Sequence, residues 1–285
     1  MPVVDAGGRQ IAFSDTGGDG LPIILAHGFA LDLTIFAGQA ALAPAYRVIA
    51  WDAPGHGASP DPGTPFTFWD LARTQLDLID ALDIDRAVVG GVSQGGFIAL
   101  RTALLAPERV TALLLIDTEA DALSPTDTAQ YQQLFTDFAT HGPTPELTAG
   151  LAAQIIGDHP TTQTWAQAWA RTWTGRGIPL GAPVDCLTHR DDLTHRLAEI
   201  TAPALILAGA HDHSIPLDHQ DRMRRSLPAS EGIVVIPGAG HCPPLTHPVP
   251  VNAAITRFLH TVPSPGDGDG DGDGDGATAS ATAET

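Results

Sequence analysis

Short apolar runs recur along the chain and alternate with stretches of helical periodicity. The runs are residues 21–26, 47–51, 86–91, 110–116, 204–208 and 232–236. A run that is apolar at nearly every position is typical of a strand buried on both faces, and such strands separated by helices favour a mostly parallel sheet. We therefore predict an α/β fold with helices on both faces of a twisted sheet, preceded by a hairpin near the N-terminus.

The alternation stops between residues 118 and 197, where helical patterns dominate and no strand-like run occurs. We interpret residues 118–197 as a helical cap, or lid, inserted into a core that consists of residues 1–117 and 198–262. Four of the apolar runs would then precede the cap, and the other two would follow it.

Three tryptophans in the predicted cap, Trp165, Trp169 and Trp173, are spaced four residues apart. On a helix this spacing places the three rings on one face. Such a stripe either packs the cap onto the core or lines a substrate pocket, and the sequence leaves both roles open.

Residues 263–285 have a different composition from the rest of the chain. Gly and Asp alternate from residue 266 to residue 276, followed by Ala, Thr and Ser. A segment without aromatic residues or apolar periodicity cannot bury enough surface to order itself, so we predict a disordered tail. Calcium-binding repeats also use Gly and Asp, but they need an interleaved aliphatic residue that this tail lacks.

Composition narrows the possible partners. The formal net charge is −19 and all 14 basic residues are arginine, which argues against nucleic acid, anionic membranes and substrates with several negative charges. The hydrophobic content of 43% supports a large core. No apolar run is long enough to span a membrane and no secretory signal is visible. We expect a cytoplasmic monomer or homodimer in which Cys186 and Cys242 are free thiols.

Ser93 is the strongest candidate for a nucleophile. It stands at the centre of a G-x-S-x-G motif at residues 91–95, between an apolar strand-like run and an apolar helical stretch. A strand that turns sharply into a helix can hold a serine hydroxyl clear of the backbone, and the glycines permit the turn. The motif alone is a weak signal in a glycine-rich chain, so the strand before it and the helix after it carry the assignment.

A serine nucleophile needs a base and an orienting carboxylate, and in an open parallel sheet these come from the carboxyl ends of strands. His241 follows a predicted strand in a glycine-rich loop and is the preferred base. Asp212 follows another strand and is the preferred acid, which would accept the imidazole N–H and fix its tautomer. Glu119 remains an alternative acid, and Asp117 is a weaker one because it lies nearer its strand.

An acyl-transfer site also needs donors for the oxyanion. We expect one to be the backbone N–H of Gln94, which opens a helix, and the other to be the N–H of Phe29, whose ring would also wall the pocket. His27 and His56 lie in tight turns with glycine and are interpreted as turn-shaping. Residues 211–213 hold two histidines and an aspartate, but consecutive residues converge poorly on one metal ion.

Together these motifs resemble those of the α/β-hydrolase superfamily. The resemblance is carried by an oxyanion loop at residues 27–29, a D-x-x-G-x-G-x-S turn at 52–59, the nucleophile elbow at 91–95, and acid and base loops at 209–212 and 240–241. It implies a serine, aspartate and histidine triad without cofactor or metal, in an enzyme similar to the small capped esterases and lactonases. Ser93 differs from the Asp at the elbow of epoxide hydrolases and haloalkane dehalogenases, which argues against both activities.

The apolar cap and acidic surface favour a small, neutral, hydrophobic carboxylic ester or lactone, cleaved through an acyl-enzyme. Three alternatives stay open because the resembling proteins share one triad. They are a C–C bond hydrolase of a diketone, a cofactor-free perhydrolase or haloperoxidase, and a non-catalytic ligand-binding member of the fold.

Overall fold

An eight-stranded sheet forms the centre of the molecule, with strand order β1-β2-β4-β3-β5-β6-β7-β8. The computed structural model describes residues 1–176 and 180–262, so the predicted tail lies outside the described residues. The strands are β1 Val3–Ala6, β2 Arg9–Asp15, β3 Leu21–Ala26, β4 Tyr46–Trp51, β5 Ala87–Val92, β6 Val110–Ile116, β7 Ala204–Gly209 and β8 Ser230–Ile236.

Strands β3 to β8 run parallel, whereas β2 is antiparallel to β4 and pairs with β1 as the expected hairpin. Strands β5, β6 and β7 are buried along their whole length, which is why they are apolar at almost every position. The prediction of a mostly parallel sheet is confirmed. Parallel strands in close register bring the loops that follow them to the same edge of the sheet.

Helices occupy most of the remaining described chain. They are α1 Phe68–Ala81, α2 Gln94–Leu105, α3 Pro125–His141, α4 Pro145–Ile155, α5 Thr162–Arg176, α6 Ala182–Thr188, α7 Leu217–Ser226, α8 Pro243–Thr246 and α9 Pro248–Leu259, with 3₁₀ helices at Leu33–Leu42, Pro107–Arg109 and Thr194–Glu199. Helix α1 begins where it does because Thr67 and Asp70 cap each other's backbone N–H groups. Within the described ranges, no helix combines the length and the apolar character needed to cross a membrane.

Helices α3 to α6 follow β6 and precede β7, in the segment where the cap is predicted. The hydroxyls of Ser124 and Thr144 start α3 and α4 by accepting backbone N–H groups. Helix α4 packs against α5, and α3 against α6. Phe138 of α3 meets Trp173 of α5 edge to face, with ring centroids 5.0 Å apart. That these helices form a separate domain stays a prediction.

Candidate active site

Ser93 lies in a sharp turn between β5 and α2. Its backbone has φ 52° and ψ −112°, a left-handed conformation that L side chains seldom adopt. The turn is fixed because Ser93 N donates to Ile116 O at 2.9 Å. A Cβ atom added at either Gly91 or Gly95 would lie 2.0 Å from Ala26 O, so only glycine fits beside β3. The G-x-S-x-G spacing is therefore a steric requirement of this turn.

His241 and Asp212 meet at the carboxyl edge of the sheet. His241 Nδ1 lies 2.9 Å from Asp212 Oδ2, and both side chains are buried. Asp212 Oδ1 accepts from the backbone N–H groups of Ser214 and Ile215 at 2.8 and 3.1 Å. Because an ionised carboxylate can only accept, His241 Nδ1 is the donor, which leaves Nε2 with its lone pair free.

The charge on Asp212 is held in place by its neighbours. Burial raises the pKa of Asp212, but the charge of His241 and the hydrogen bonds that the carboxylate receives outweigh burial, and the net shift is downward. The loops that carry the two residues are tied together, since His211 N donates to Ala239 O at 2.8 Å. Asp212 is thus a fixed anion beside the imidazole.

Ser93 and His241 line the same two cavities. Within residues 1–176 and 180–262, no side chain or backbone group hydrogen-bonds to the Ser93 hydroxyl. The hydroxyl is therefore open to a molecule that enters either cavity, with the imidazole at the same wall.

The larger cavity has a volume of about 320 Å³. Its wall carries the polar side chains Glu119, Asp127, Gln130, Gln154, Arg190 and His219, together with the ring of Tyr131. The smaller cavity, about 40 Å³, is bounded mainly by the apolar side chains Phe29, Leu31, Phe135, Leu151, Ile155 and Leu187. The larger cavity also has apolar lining residues, namely Phe97, Leu123, Leu134, Leu187, Ile215 and Pro216. The space around Ser93 is thus divided into a larger part of mixed polarity and a small apolar part.

Glu119, the alternative acid, has its hydrogen bonds elsewhere. Its carboxylate forms a buried ion pair with Arg190, and its other oxygen lies 2.6 Å from His219 Nδ1. Arg190 also stacks over the ring of Phe97 at 4.5 Å. The structure brings Asp212 to His241, but it does not bring Glu119 there.

Sequence analysis does not identify Arg190, His219 or Tyr131 as wall residues. Arg190 and His219 lie 71 and 100 positions from Glu119 along the chain. No local motif marks side chains that meet only after folding. The sequence offers only the general expectation that a buried arginine requires an acidic partner, which does not say which arginine pairs with Glu119.

The two predicted oxyanion donors, Phe29 and Gln94, follow β3 and β5, which are neighbours in the sheet. Among the described residues, the turn and loop hydrogen bonds use neither of these N–H groups as a donor. His27 shapes the loop, because its Nδ1 donates to Gly28 O at 2.7 Å and its Nε2 accepts from Ala53 N at 3.0 Å. His56 packs edge to face against Phe29 at 5.2 Å.

The tryptophan stripe forms on α5, but it does not reach Ser93. None of the three rings lines either cavity that contains Ser93. Trp169 and Trp173 are buried and line a separate cavity beside His56. The ring of Trp165 lies 4.6 Å from that of Trp169, tilted by 40°. These contacts fit the packing role.

One group of side chains within the described ranges comes close enough for metal coordination, namely Glu119, Asp121 and His219. Arg190 is ion-paired with Glu119, and Arg222 lies 3.5 Å from Asp121. Two guanidinium groups already supply the positive charge that a cation would bring, so the donor set does not suit a metal ion. Cys186 and Cys242 are buried free thiols, as expected.

Comparison with known proteins places this geometry in a family. A family model for the alpha/beta hydrolase fold matches residues 22–248. The chain belongs to the alpha/beta hydrolase family. The resemblance seen in the motifs is thereby confirmed, together with the fold class predicted from the apolar runs.

Two curated proteins and one solved structure illustrate the range of this family. The chain is 32% identical over 262 residues to the dihydrolipoyllysine-residue acetyltransferase component of the acetoin cleaving system of Pseudomonas putida, covering 90% of this chain and 68% of that protein. It is 30% identical over 247 residues to the pimeloyl-(acyl-carrier protein) methyl ester esterase of Nitrosomonas europaea, covering 82% and 94%.

A malate-bound thermophilic esterase from Thermogutta terrifontis superposes with a TM-score of 0.82 at 29% identity, covering 92% of this chain and 98% of that one. The predicted enzyme class, a hydrolase acting on ester bonds, agrees with the two relatives named as esterases.

Proposed function

We propose that this alpha/beta hydrolase is a serine esterase or lactonase in which Ser93 is the nucleophile, His241 the base and Asp212 the acid. The observation that carries the proposal is the 2.9 Å contact between His241 Nδ1 and Asp212 Oδ2 at the cavities that Ser93 lines. Nucleophilic acyl transfer requires an oriented imidazole and a serine hydroxyl at one cavity.

The reaction proceeds through an acyl-enzyme. His241 Nε2 removes the proton from the Ser93 hydroxyl as the oxygen attacks the acyl carbon. The imidazolium, stabilised by Asp212, then protonates the leaving alkoxide. A water molecule enters, gives its proton to Nε2 and attacks the acyl carbon, so that the carboxylic acid leaves and Ser93 is regenerated.

The oxyanion of each tetrahedral intermediate is bound by the N–H groups of Phe29 and Gln94. Two features support this role: neither amide donates within the turn network, and Gln94 N opens α2, where the helix dipole favours negative charge. Fixed donors aimed at a developing charge supply a large part of the rate in such sites.

The shape of the two cavities bears on the substrate. The small apolar cavity accommodates a short hydrocarbon group, whereas the wall with Glu119 and Arg190 suits a larger part that bears hydroxyl, amide or carbonyl groups. We therefore propose a compact ester or lactone with one short apolar end and one polar end, which modifies the expectation of a hydrophobic substrate.

The test combines covalent labelling with turnover. Wild type, Ser93→Ala and His241→Ala are treated with a fluorophosphonate, and the labelled residue is mapped by mass spectrometry. Turnover is then measured on p-nitrophenyl acetate, butyrate and octanoate and on small lactones. We expect label at Ser93, a loss of kcat of about 10⁴-fold or more in both variants, and a preference for the short esters.

Each result is informative. Near wild-type turnover by Ser93→Ala would refute the nucleophile. Label at Ser93 without hydrolysis of any ester or lactone would contradict the ester-cleaving function while leaving the reactive serine in place, and C–C bond substrates would then be tested.

A further inference from the structure

Asp117 is a buried carboxyl group directly behind the His241 and Asp212 pair. It follows β6, and its side chain has no exposure to solvent. Its backbone has φ 43°, in the left-handed region that few residues other than glycine tolerate, although Asp and Asn do so better than most. A strained backbone around a buried acidic group indicates that the surrounding structure fixes the position of that group.

One oxygen of Asp117 is fully occupied. Oδ1 accepts from Gly209 N at 2.8 Å and from Gln220 Nε2 at 3.2 Å. Both donors come from elements that follow the acid loop or lead into it, β7 and α7. These two hydrogen bonds orient the carboxyl group of Asp117. They do not involve its other oxygen, Oδ2.

Oδ2 of Asp117 is buried and receives no hydrogen bond from any donor in the described parts of the chain. Asp212 lies close by, because Gly209 donates its N–H to Asp117 Oδ1 and accepts the N–H of Asp212 at 3.2 Å. A hydrogen bond between the two carboxyl groups also contributes to the shift in the pKa of each. Two ionised carboxylates cannot bond to each other, because both only accept. A proton on Oδ2 resolves the conflict, since the resulting O–H donates to Asp212.

The electrostatic setting agrees with this assignment. Burial raises the pKa of Asp117 well above its usual value, and the negative charge of Asp212 raises it further. Asp212 is shifted the other way, with its pKa lowered despite burial. One proton is therefore carried by the pair, and it resides on Asp117.

We propose that Asp117 is a positioning residue that, as a neutral carboxylic acid, donates a hydrogen bond to Asp212 and so extends the triad to four members. The inference rests on the proposed roles of Asp212 and His241. Asp117 touches neither substrate nor reacting atoms, and it acts through the carboxylate that orients the imidazole.

The donated hydrogen bond has a defined chemical effect. Asp212 then accepts from Ser214 N, Ile215 N, His241 Nδ1 and the Asp117 hydroxyl, which matches its capacity of about four lone pairs. Because each lone pair of this carboxylate then accepts a hydrogen bond, its affinity for a proton stays low. Asp212 consequently keeps its charge and its position beside His241 Nδ1.

Other titratable groups face this pair from the elements packed around it. Cys242, on the loop after β8, is buried near both carboxyl groups, and burial raises the pKa of its thiol to about 12, so it stays neutral. Tyr131 of α3 also faces Asp212, and burial raises the pKa of its hydroxyl. Neither group changes charge between pH 5 and 8. Glu119, Arg190, His213 and His219 line the same cavity as His241, and they are the same in wild type and variants, so the difference between the pH profiles reports the change at Asp117.

The experiment compares three variants at residue 117 with wild type and Ser93→Ala. Asp117→Asn keeps an oxygen for Gly209 and Gln220 and offers an N–H in place of the O–H. Asp117→Ala removes the donor, and Asp117→Gly removes it without backbone strain at positive φ. The readouts are kcat and KM on the best ester, the pH profile of kcat/KM, and the downfield proton resonance of His241 Nδ1–H.

We expect Asp117→Asn to retain kcat within about threefold and to keep the wild-type profile. Asp117→Ala and Asp117→Gly should lose about 10- to 100-fold in kcat, as expected for one charge-assisted hydrogen bond, with little change in KM. Their kcat/KM should begin to fall at higher pH than that of wild type, because Asp212 is protonated more readily without the donor, and the Nδ1–H resonance should shift.

Loss of activity in Asp117→Asn equal to that in Asp117→Ala would overturn the proposal, because the neutral donor would then be insufficient. So would a wild-type rate and profile in Asp117→Gly. If Asp117→Ala fails to fold, Asp117→Gly takes its place in the comparison, and a kcat of Asp117→Asn more than about tenfold below wild type would overturn the proposal whether or not the other two fold. Activity in Ser93→Ala would instead reject the proposed triad itself, whatever the variants at residue 117 show.

Discussion

Asp212 and Glu119 are two buried carboxylates that follow neighbouring strands, and they have opposite surroundings. Asp212 is held by two backbone N–H groups and the imidazole of His241. Glu119 is held by the guanidinium of Arg190 and the ring of His219. Both positions suit a catalytic acid as far as the strand order is concerned, so the donors around each carboxylate decide between them.

The difference between the two sets of donors shows how a buried carboxylate is kept able to attract a cationic group. Backbone amides stabilise the charge of Asp212 without supplying a counter-ion, so its attraction for an imidazolium is undiminished. The positive charge of Arg190 neutralises the negative charge of Glu119. The carboxylate of Glu119 therefore exerts little electrostatic attraction on more distant groups. A carboxylate that neutralises a buried cation has a structural role, whereas one held by neutral donors can orient a base.

The largest expected effect comes from Asp212→Asn. The amide cannot hold the imidazole in the same tautomer or stabilise the imidazolium, so kcat should fall by about 10³-fold with KM little changed. Steady-state kinetics on a p-nitrophenyl ester measures both constants. If Glu119→Gln lowers kcat more than Asp212→Asn does, the roles of the two carboxylates are reversed.

Glu119→Gln should act on stability instead. The change leaves the buried Arg190 without a counter-charge, which destabilises the fold by about 2–4 kcal/mol and lowers Tm by roughly 5–10 °C, while kcat of the folded enzyme falls less than about tenfold. Calorimetry on both proteins provides the measurement.

The matched control for Glu119→Gln is Glu199→Gln, which breaks the exposed pair with Arg196. A surface pair contributes little to folding, so we expect no measurable shift in Tm. Equal shifts for the two variants would mean that burial of the Arg190 pair is irrelevant to its contribution.

The smallest effect concerns His56, a buried titratable group whose Nδ1–H bonds to a backbone carbonyl. Burial, with help from His27, lowers the pKa of His56 to about 3. Below about pH 6.5 His56 binds a proton in the unfolded chain but stays neutral in the folded chain. The free energy of unfolding therefore falls by about 2 kcal/mol through this site as the pH is lowered from 7 to 5.

Chemical unfolding at pH 7 and pH 5 tests the contribution of His56. His56→Gln should show a weaker loss of stability between the two pH values than wild type, and the exposed His260→Gln should behave like wild type. An identical loss in all three proteins would contradict the assignment of a depressed pKa to His56.

The sequence predicts the strands and the ends of strands well, because uninterrupted apolar runs reflect burial on both faces of the sheet. Ser93, Asp212 and His241 could be nominated from their positions after such runs. From the sequence Asp212 is the preferred acid and Glu119 stays open as an alternative, because the ion pair that Glu119 forms involves Arg190, which is distant along the chain.

Other differences have similar causes. Helical periodicity predicts the tryptophan stripe on α5, but it does not say which cavity the stripe faces, and the rings lie away from Ser93. The segment after β3 is a 3₁₀ helix, Leu33–Leu42, begun by the side chain of Asp32. The polar wall could not be foreseen, because its side chains come from several separate helices and loops.

The left-handed backbone at Ser93 has a consequence for how this chain can vary. Glycine would adopt that turn more readily than serine, so a chain selected only for ease of folding would drift toward glycine there. The hydroxyl is thus retained against the local preference of the main chain, and a stabilising replacement at this one position would remove the proposed nucleophile.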